Sequence, residues 1–256
     1  MNKEIILNIE NRIATISINR PDVFNALSKD IVDELDVIID KIKDNSEIHV
    51  LIFHSDKNFA AGADIKQMSG CNTLEAKAFV FTDTFNKICN LNIPTIAAIE
   101  GYAFGGGLEL ALCCDFRIAG QGAKMGLTEL NLGIIPGAGG TIRLPRIVGE
   151  SKAKEMIFMS RVIDGTEAEK IGLSNLMVDD ERVYRTAVEW AEKLKRKSLV
   201  SLIAAKKSIR NGIADTDYNR STQEEADIWA ELFKSHDQKE GMKAFLEKRK
   251  PNFMNK

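Results

Sequence analysis

Between Pro94 and Gly149 the chain sets two carboxylic acids beside two clusters of glycine. A short apolar run, Thr95 to Ile99, enters Gly105-Gly106-Gly107, which opens directly into Leu108-Glu109-Leu110-Ala111-Leu112. The second acid, Glu129, stands in Gly126-Leu127-Thr128-Glu129-Leu130, and Gly137 to Gly140 follows. Only glycine lets a ligand approach backbone this closely. A helix starting at such a corner offers unpaired N–H groups and the positive end of its dipole. Two carboxylates in apolar surroundings can differ in pKa, and desolvation raises one toward the range useful for proton transfer. Each acid alone has a plainer explanation. The dipole favours an acid in a first turn, which would cover Glu109, and Glu129 could be a solvated or capping acid. The pair is what points to acid–base chemistry.

The glycines do not form a nucleotide loop. Gly101-x4-Gly106 is followed by Gly107 and Leu108, so the lysine and hydroxyl that handle phosphate and magnesium are missing. The spacing of a dinucleotide fingerprint is absent too. A backbone N–H site with no cation beside it suits a partial negative charge that develops during reaction, an oxyanion hole.

The elements that must hold this stretch read as repeated strand-and-helix units. Ile5 to Ile9 and Ile13 to Ile18 alternate around Glu10-Asn11-Arg12 as a hairpin, ended by Asn19-Arg20-Pro21. Ser28 is placed to cap a helix whose stripe is Ile31, Leu35, Ile38 and Ile42. Val50 to Phe53 reads as a buried strand, and the small residues of Phe59-Ala60-Ala61-Gly62-Ala63-Asp64 leave backbone within reach. Periodicity predicts one helix from Thr73 to Leu91, with Leu74, Ala78, Phe81, Phe85 and Ile88 on its apolar side. Asp115 to Ala119 and Ala123 to Met125 read as short strands. Helices are predicted over Thr141–Val148, Lys152–Met159, Thr166–Ile171, Tyr184–Arg196, Leu199–Asn211 and Ser221–Leu246. The fold class is α/β (α+β). A composition shift near Ser198 divides 1–198, the part holding the acids, from a helical 199–256.

Composition excludes several classes. Lys plus Arg total 35 against 37 for Asp plus Glu in 256 residues, a balance unlike that of a general nucleic-acid or membrane-surface protein. No stretch has the order of a signal peptide or the length of a membrane span, so a cytoplasmic protein is expected. Cys71, Cys89, Cys113 and Cys114 lack metal-ligand spacing and read as buried, reduced thiols. His49 and His54 fall on opposite faces of a strand region, and His236 lies in a polar stretch. A zinc site or a Ser-His-Asp triad is therefore disfavoured, and there is no GxSxG elbow.

At the acids and glycines the sequence resembles the crotonase superfamily, specifically the enoyl-CoA hydratases. The resemblance runs from Asn19-Arg20-Pro21 and Asn25-Ala26-Leu27 to Lys248-Arg249-Lys250. Its motifs are Phe59 to Lys66 (FAAGADIK), Gly105 to Ala111 (GGGLELA) and Ile135 to Thr141 (IPGAGGT). It implies an oxyanion hole from the N–H groups of Ala63 and Gly106 around a thioester oxygen. It makes Glu129 the proton shuttle between water and the α-carbon, and has Glu109 hold the water for attack on the β-carbon. Donors of the oxyanion type are worth ~3–4 kcal/mol each. By the same resemblance Ala61, Ala63, Asp64, Ile65 and Lys66 line the coenzyme A end of the substrate. Gly106 and Gly137 join them, as do Phe245 and Lys248, which reach coenzyme A from a neighbouring subunit. The implied fold is a spiral of ββα units with a C-terminal helical trimerisation region, and trimers pair into hexamers. No cofactor and no metal are implied, since coenzyme A is part of the substrate. Segments such as Arg143-Leu144-Pro145-Arg146 look most like the methylglutaconyl-CoA hydratase branch, an alternative for substrate, and an enoyl-CoA isomerase is the alternative for reaction. That branch includes RNA-binding members. Here the corresponding helix carries Asp30, Asp33, Glu34, Asp36, Asp40 and Asp44 against Lys29, Lys41 and Lys43, a face that repels phosphate.

Overall fold

β1 (Ile5–Glu10) and β2 (Ile13–Ile18) pair antiparallel through a turn whose residues, Asn11 and Arg12, both hold positive φ, 50° and 67°. Such a turn matches the twist of the strands it joins. The computed structural model describes residues 3–79 and 81–256. Ser28 Oγ accepts from Ile31 N at 3.2 Å and starts α1 (Lys29–Lys43), which buries the expected stripe of Ile31, Leu35, Ile38 and Ile42. β3 (Val50–His54) follows, then α2 (Ile65–Met68), α3 (Thr73–Ala78) and α4 (Thr82–Cys89). The central stretch gives β4 (Thr95–Ile99), β5 (Tyr102–Phe104), α5 (Gly106–Leu112), β6 (Phe116–Gly120) and β7 (Lys124–Gly126). Beyond it run α6 (Gly140–Val148), α7 (Glu150–Phe158), β8 (Ile163–Asp164), α8 (Gly165–Lys170), β9 (Leu176–Val178) and α9 (Val183–Lys195). The chain closes with α10 (Leu199–Ala214), α11 (Tyr218–Glu231) and α12 (His236–Leu246).

Six strands form one sheet in the order β1-β2-β3-β4-β6-β9, parallel except for the opening hairpin. A second sheet, β5-β7-β8, stands apart. Every residue of β4 is buried, as a strand covered on both faces must be. On one face Leu51, Phe53, Ala97 and Ile99 pack with Leu35, Phe85 and Leu108 from α1, α4 and α5. On the other, Ile52, Ile96 and Ala98 meet Val183, Ala187 and Ala191 of α9. The α/β expectation holds.

Several expected details differ. The single helix over Thr73–Leu91 is two, because Phe81 leaves helical geometry (φ −80°, ψ 11°) and starts α4 afresh. The break re-aims the stripe: Phe81, Phe85 and Ile88 are buried, while Leu74 is 79% exposed. Residue 80 and the side chain of Ala78 lie outside the described residues. The stretch Ser221–Leu246 is likewise divided, at a 3-10 turn over Leu232–Lys234, with Ser235 Oγ accepting from Gln238 N to begin α12. Strands β8 and β9 were not expected. Cys113 and Cys114 are buried thiols as read, but Cys71, in the loop between α2 and α3, and Cys89, the last residue of α4, are only half-buried. No helix among the described residues is long and apolar enough to cross a membrane.

Candidate active site

Gly105 occupies φ 47° and ψ −123°, a conformation that side chains exclude, and from it the backbone turns out of β5 into α5. Its N–H donates to Gly126 O at 2.9 Å, which ties the corner to β7. Gly107 is required for a different reason: a Cβ there would collide with the Ala60 carbonyl, so α5 lies directly against the segment 59–64. That segment is drawn in by Ala60 N donating to Tyr102 O at 2.9 Å and Phe104 N to Ala60 O at 3.1 Å. Leu27 fixes its far end, donating to Gly62 O at 2.7 Å and accepting from Asp64 N at 2.8 Å.

These contacts bring Ala63 and Gly106 together from distant parts of the chain. A Cβ at Gly106 would stand 3.7 Å from Ala63 N, 3.6 Å from Phe81 Cε2 and 3.5 Å from Leu27 Cδ1. Neither N–H has an acceptor among the described residues, and Gly106, as the first residue of α5, can have none within the helix. Two free donors against an apolar wall can hold a developing oxyanion.

The acids flank this corner in unequal surroundings. Glu109 is 3% exposed, and its Oε1 accepts from Ala138 N at 2.8 Å and Gly140 N at 2.7 Å. Burial raises its pKa from the ordinary carboxylate value, while the two N–H bonds and the Arg143 charge pull against that rise. Glu129, at the start of a 3-10 turn over Glu129–Leu132, is half-buried, and its Oε2 is shielded from solvent without a partner among the described residues. A Cβ on Gly105 would stand 3.0 Å from Glu129 Oε1, so this carboxyl lies on the corner itself. Burial pushes it up to about 7, and the charge of Glu109 adds to the rise. One acid is pinned by two backbone donors. The other keeps a free oxygen and titrates near neutrality.

The remaining sequence-predicted residues fall into two groups. Ala61, Asp64, Ile65 and Lys66 continue from the corner into α2, where Asp64 caps the helix by accepting from Lys66 N at 3.2 Å and pairs with Arg20 at 3.4 Å. Gly137 is exposed, and its carbonyl accepts from Thr82 Oγ1 at 3.0 Å. Phe245, 83% exposed on α12, and Lys248 just beyond it are not joined to the acids by any contact among the described residues of this chain. Sequence reasoning missed the Ala138 and Gly140 N–H groups as the hold on Glu109, and missed Arg143 behind them. The second glycine cluster was the available signal. A cavity of about 790 Å³ is lined by neither acid and lies beyond the other end of α5.

A corner with two free N–H donors, beside two carboxyls in unlike surroundings, is an arrangement suited to moving protons beside a polarised carbonyl. Residues 8–256 match the family model described as enoyl-CoA hydratase/isomerase, and the chain belongs to that family, within the crotonase superfamily. It is 42% identical to a crotonyl-CoA hydratase of Syntrophomonas wolfei, covering 99% of each chain. A methylglutaconyl-CoA hydratase of Mus musculus is 41% identical, over 95% of this chain and 80% of the relative. Among solved structures, an enoyl-CoA hydratase from Bacillus anthracis superimposes with a TM-score of 0.95 at 38% identity, over 99% of this chain and all of that one.

Proposed function

We propose that the protein is an enoyl-CoA hydratase, a hydro-lyase that adds water across the 2,3-double bond of an enoyl-CoA thioester. The observation that carries this reading is the pair of unlike acids on one oxyanion corner. The thioester oxygen accepts from Ala63 N–H and Gly106 N–H, which draws electron density from the β-carbon. Glu109, with one oxygen fixed by Ala138 and Gly140, holds water with the other. The water oxygen bonds to the β-carbon, the enolate-like carbanion takes the proton of Glu129 at the α-carbon, and the proton released by water returns to the carboxyl pair. The pair ends with as many protons as it began. Ala61, Asp64, Ile65, Lys66 and Gly137 would line the coenzyme A path, and no further cofactor is needed because the chemistry is carried by carboxyls and backbone.

Relatives named for crotonyl-CoA and for short-chain enoyl-CoA favour a short acyl chain, and the methylglutaconyl-CoA relatives support a second reading of the substrate. The C-terminal helices suit trimerisation: Trp229, Phe245 and Leu246 are 61%, 83% and 80% exposed, so 199–256 would assemble trimers and hexamers and deliver Phe245 and Lys248 to a neighbour's site. A cytoplasmic location is a separate part of the proposal. A turnover panel of crotonyl-CoA, longer straight-chain enoyl-CoAs and 3-methylglutaconyl-CoA tests the hydratase reading. Conversion of crotonyl-CoA to the 3-hydroxyacyl thioester is expected. Binding of all three without product would leave only an acyl-CoA binding protein.

A further inference from the structure

The segment Pro136–Gly140 that grips Glu109 is itself gripped from behind. The peptide joining Gly137 and Ala138 gives its N–H to Glu109 Oε1 and takes Thr82 Oγ1 on its carbonyl. The peptide joining Gly139 and Gly140 gives the second N–H to Glu109, while its carbonyl accepts from Arg143 N at 2.8 Å. Between them lies the Ala138 carbonyl, which accepts from Arg143 Nη1 at 2.6 Å. Arg143 Nη2 in turn donates to Asn86 Oδ1 of α4 at 2.7 Å. The guanidinium folds so tightly over the strap that a Cβ on Gly139 would collide with Nη1. Among the described residues no carboxylate lies within ion-pair distance of Arg143, so its charge is not neutralised locally and acts on Glu109. A donor on an amide oxygen also polarises the amide and strengthens its N–H as a donor, so bonds on the outer face of the strap are felt on the inner one.

We propose that Arg143 is a positioning residue for Glu109: it pins the Ala138 carbonyl to α4 and so keeps the Ala138 and Gly140 N–H groups aimed at Glu109 Oε1. The inference rests on the reading of Glu109 as one of the two working acids. Arg143 does not reach the substrate. It sets where the free oxygen of Glu109 points, and it favours the ionised form of that acid. Its outer edge lines the cavity of about 790 Å³, together with Asn86, Cys89 and Lys206, so the guanidinium can be approached from outside the active site.

The test compares wild-type, Arg143→Met, Arg143→Lys and Arg143→Ala in the assembled full-length enzyme. In Arg143→Met, kcat for crotonyl-CoA hydration is expected to fall about 10- to 100-fold, the cost of a small misplacement of a catalytic group. KM is expected to stay within about two-fold, since the thioester contacts are intact. The Glu109 carboxyl, read by pH-difference infrared spectroscopy and assigned by its loss in Glu109→Gln, should titrate at higher pH in Arg143→Met and return toward the wild-type value in Arg143→Lys. Guanidinium added to Arg143→Ala should restore activity through the cavity, and an alkylammonium of similar size should restore less. A kcat unchanged in Arg143→Met overturns the proposal. So does a drop in melting temperature with the Glu109 titration unmoved, which is what a purely structural arginine gives. Should Arg143→Met not fold, Arg143→Ala without added guanidinium decides by the same two readouts. If the wild-type enzyme does not hydrate crotonyl-CoA, the functional reading fails, while the infrared titration still decides the role of Arg143.

Discussion

The two ends of α5 are treated in opposite ways. At its first residue Gly106 leaves an N–H free beside Ala63, Glu129 stands against Gly105, and Glu109, held by Ala138 and Gly140, is near enough for its charge to act on Glu129. At its last turn the chain is tied down instead: Arg117, 6% exposed, donates through Nη1 to Ala111 O of α5 at 3.3 Å and to Cys114 O just past the helix at 2.7 Å, and through Nε to Leu173 O at 2.6 Å. The cavity of about 790 Å³ lies at this end, lined by Cys89, Cys113 and Cys114 together with apolar and charged side chains, Arg143 and Lys206 among them. Burial holds the thiols of Cys113 and Cys114 well above their ordinary range, which keeps them protonated and inert. The cavity and the proposed chemistry therefore lie at different ends of one helix. What marks the working end is unspent hydrogen-bonding capacity, two free donors and an unpartnered carboxyl oxygen.

That contrast can be broken from either end. The largest expected effect is at the acids: Glu109→Gln or Glu129→Gln should lower kcat for crotonyl-CoA by about 10²- to 10⁴-fold with the circular dichroism spectrum unchanged. Cys89→Ala at the other end should leave kcat within about two-fold. The reverse pattern would move the active site to the cavity. Next in size, Arg117→Met strips three carbonyls of a buried donor and should cost about 2–4 kcal/mol in urea unfolding. A loss below about 0.5 kcal/mol would mean that end of α5 does not depend on its arginine cap.

The structure of the acids was only partly readable from the sequence. The hairpin at Asn11 and Arg12, the Ser28 cap and the approach of Ala63 to Gly106 follow from local chemistry or from motif, and they stand where expected. The break before Thr82 did not show because Phe81, Phe85 and Ile88 continue the periodicity of the segment before it, although the backbone restarts there. Strands β8 and β9, of two and three residues, are too short to alternate visibly and exist only by pairing with β7 and β6. The hold on Glu109 was hidden for another reason. It is made by backbone N–H groups of Ala138 and Gly140, which no side-chain pattern announces, and is braced by Arg143 in what read as an ordinary helix.

The smallest effect is a gain in stability. Because burial raises Glu129 to about 7, its ionised form is disfavoured in the folded protein. The stability it supports is complete below the unfolded pKa of about 4.3 and is lost as pH rises through about 7. Glu129→Gln should therefore melt at a higher temperature than wild-type at about pH 8, by the equivalent of about 1–2 kcal/mol once partial exposure is allowed for, and not at about pH 4. Equal differences at both would mean that Glu129 is not strained by its site.

The central claim is that hydration runs from a carboxyl pair holding one proton, with Glu129 as the group that carries it. The direct test is kcat/KM for crotonyl-CoA hydration across about pH 5 to pH 9, since this quantity reports the free enzyme. The pair loses its working proton when Glu129 ionises, so the rate constant should fall as pH rises past about 7. Dehydration of the 3-hydroxyacyl thioester should fall along the same limb, because the reaction changes the proton count of neither side. A hydration profile flat through neutrality to about pH 9 would contradict the account.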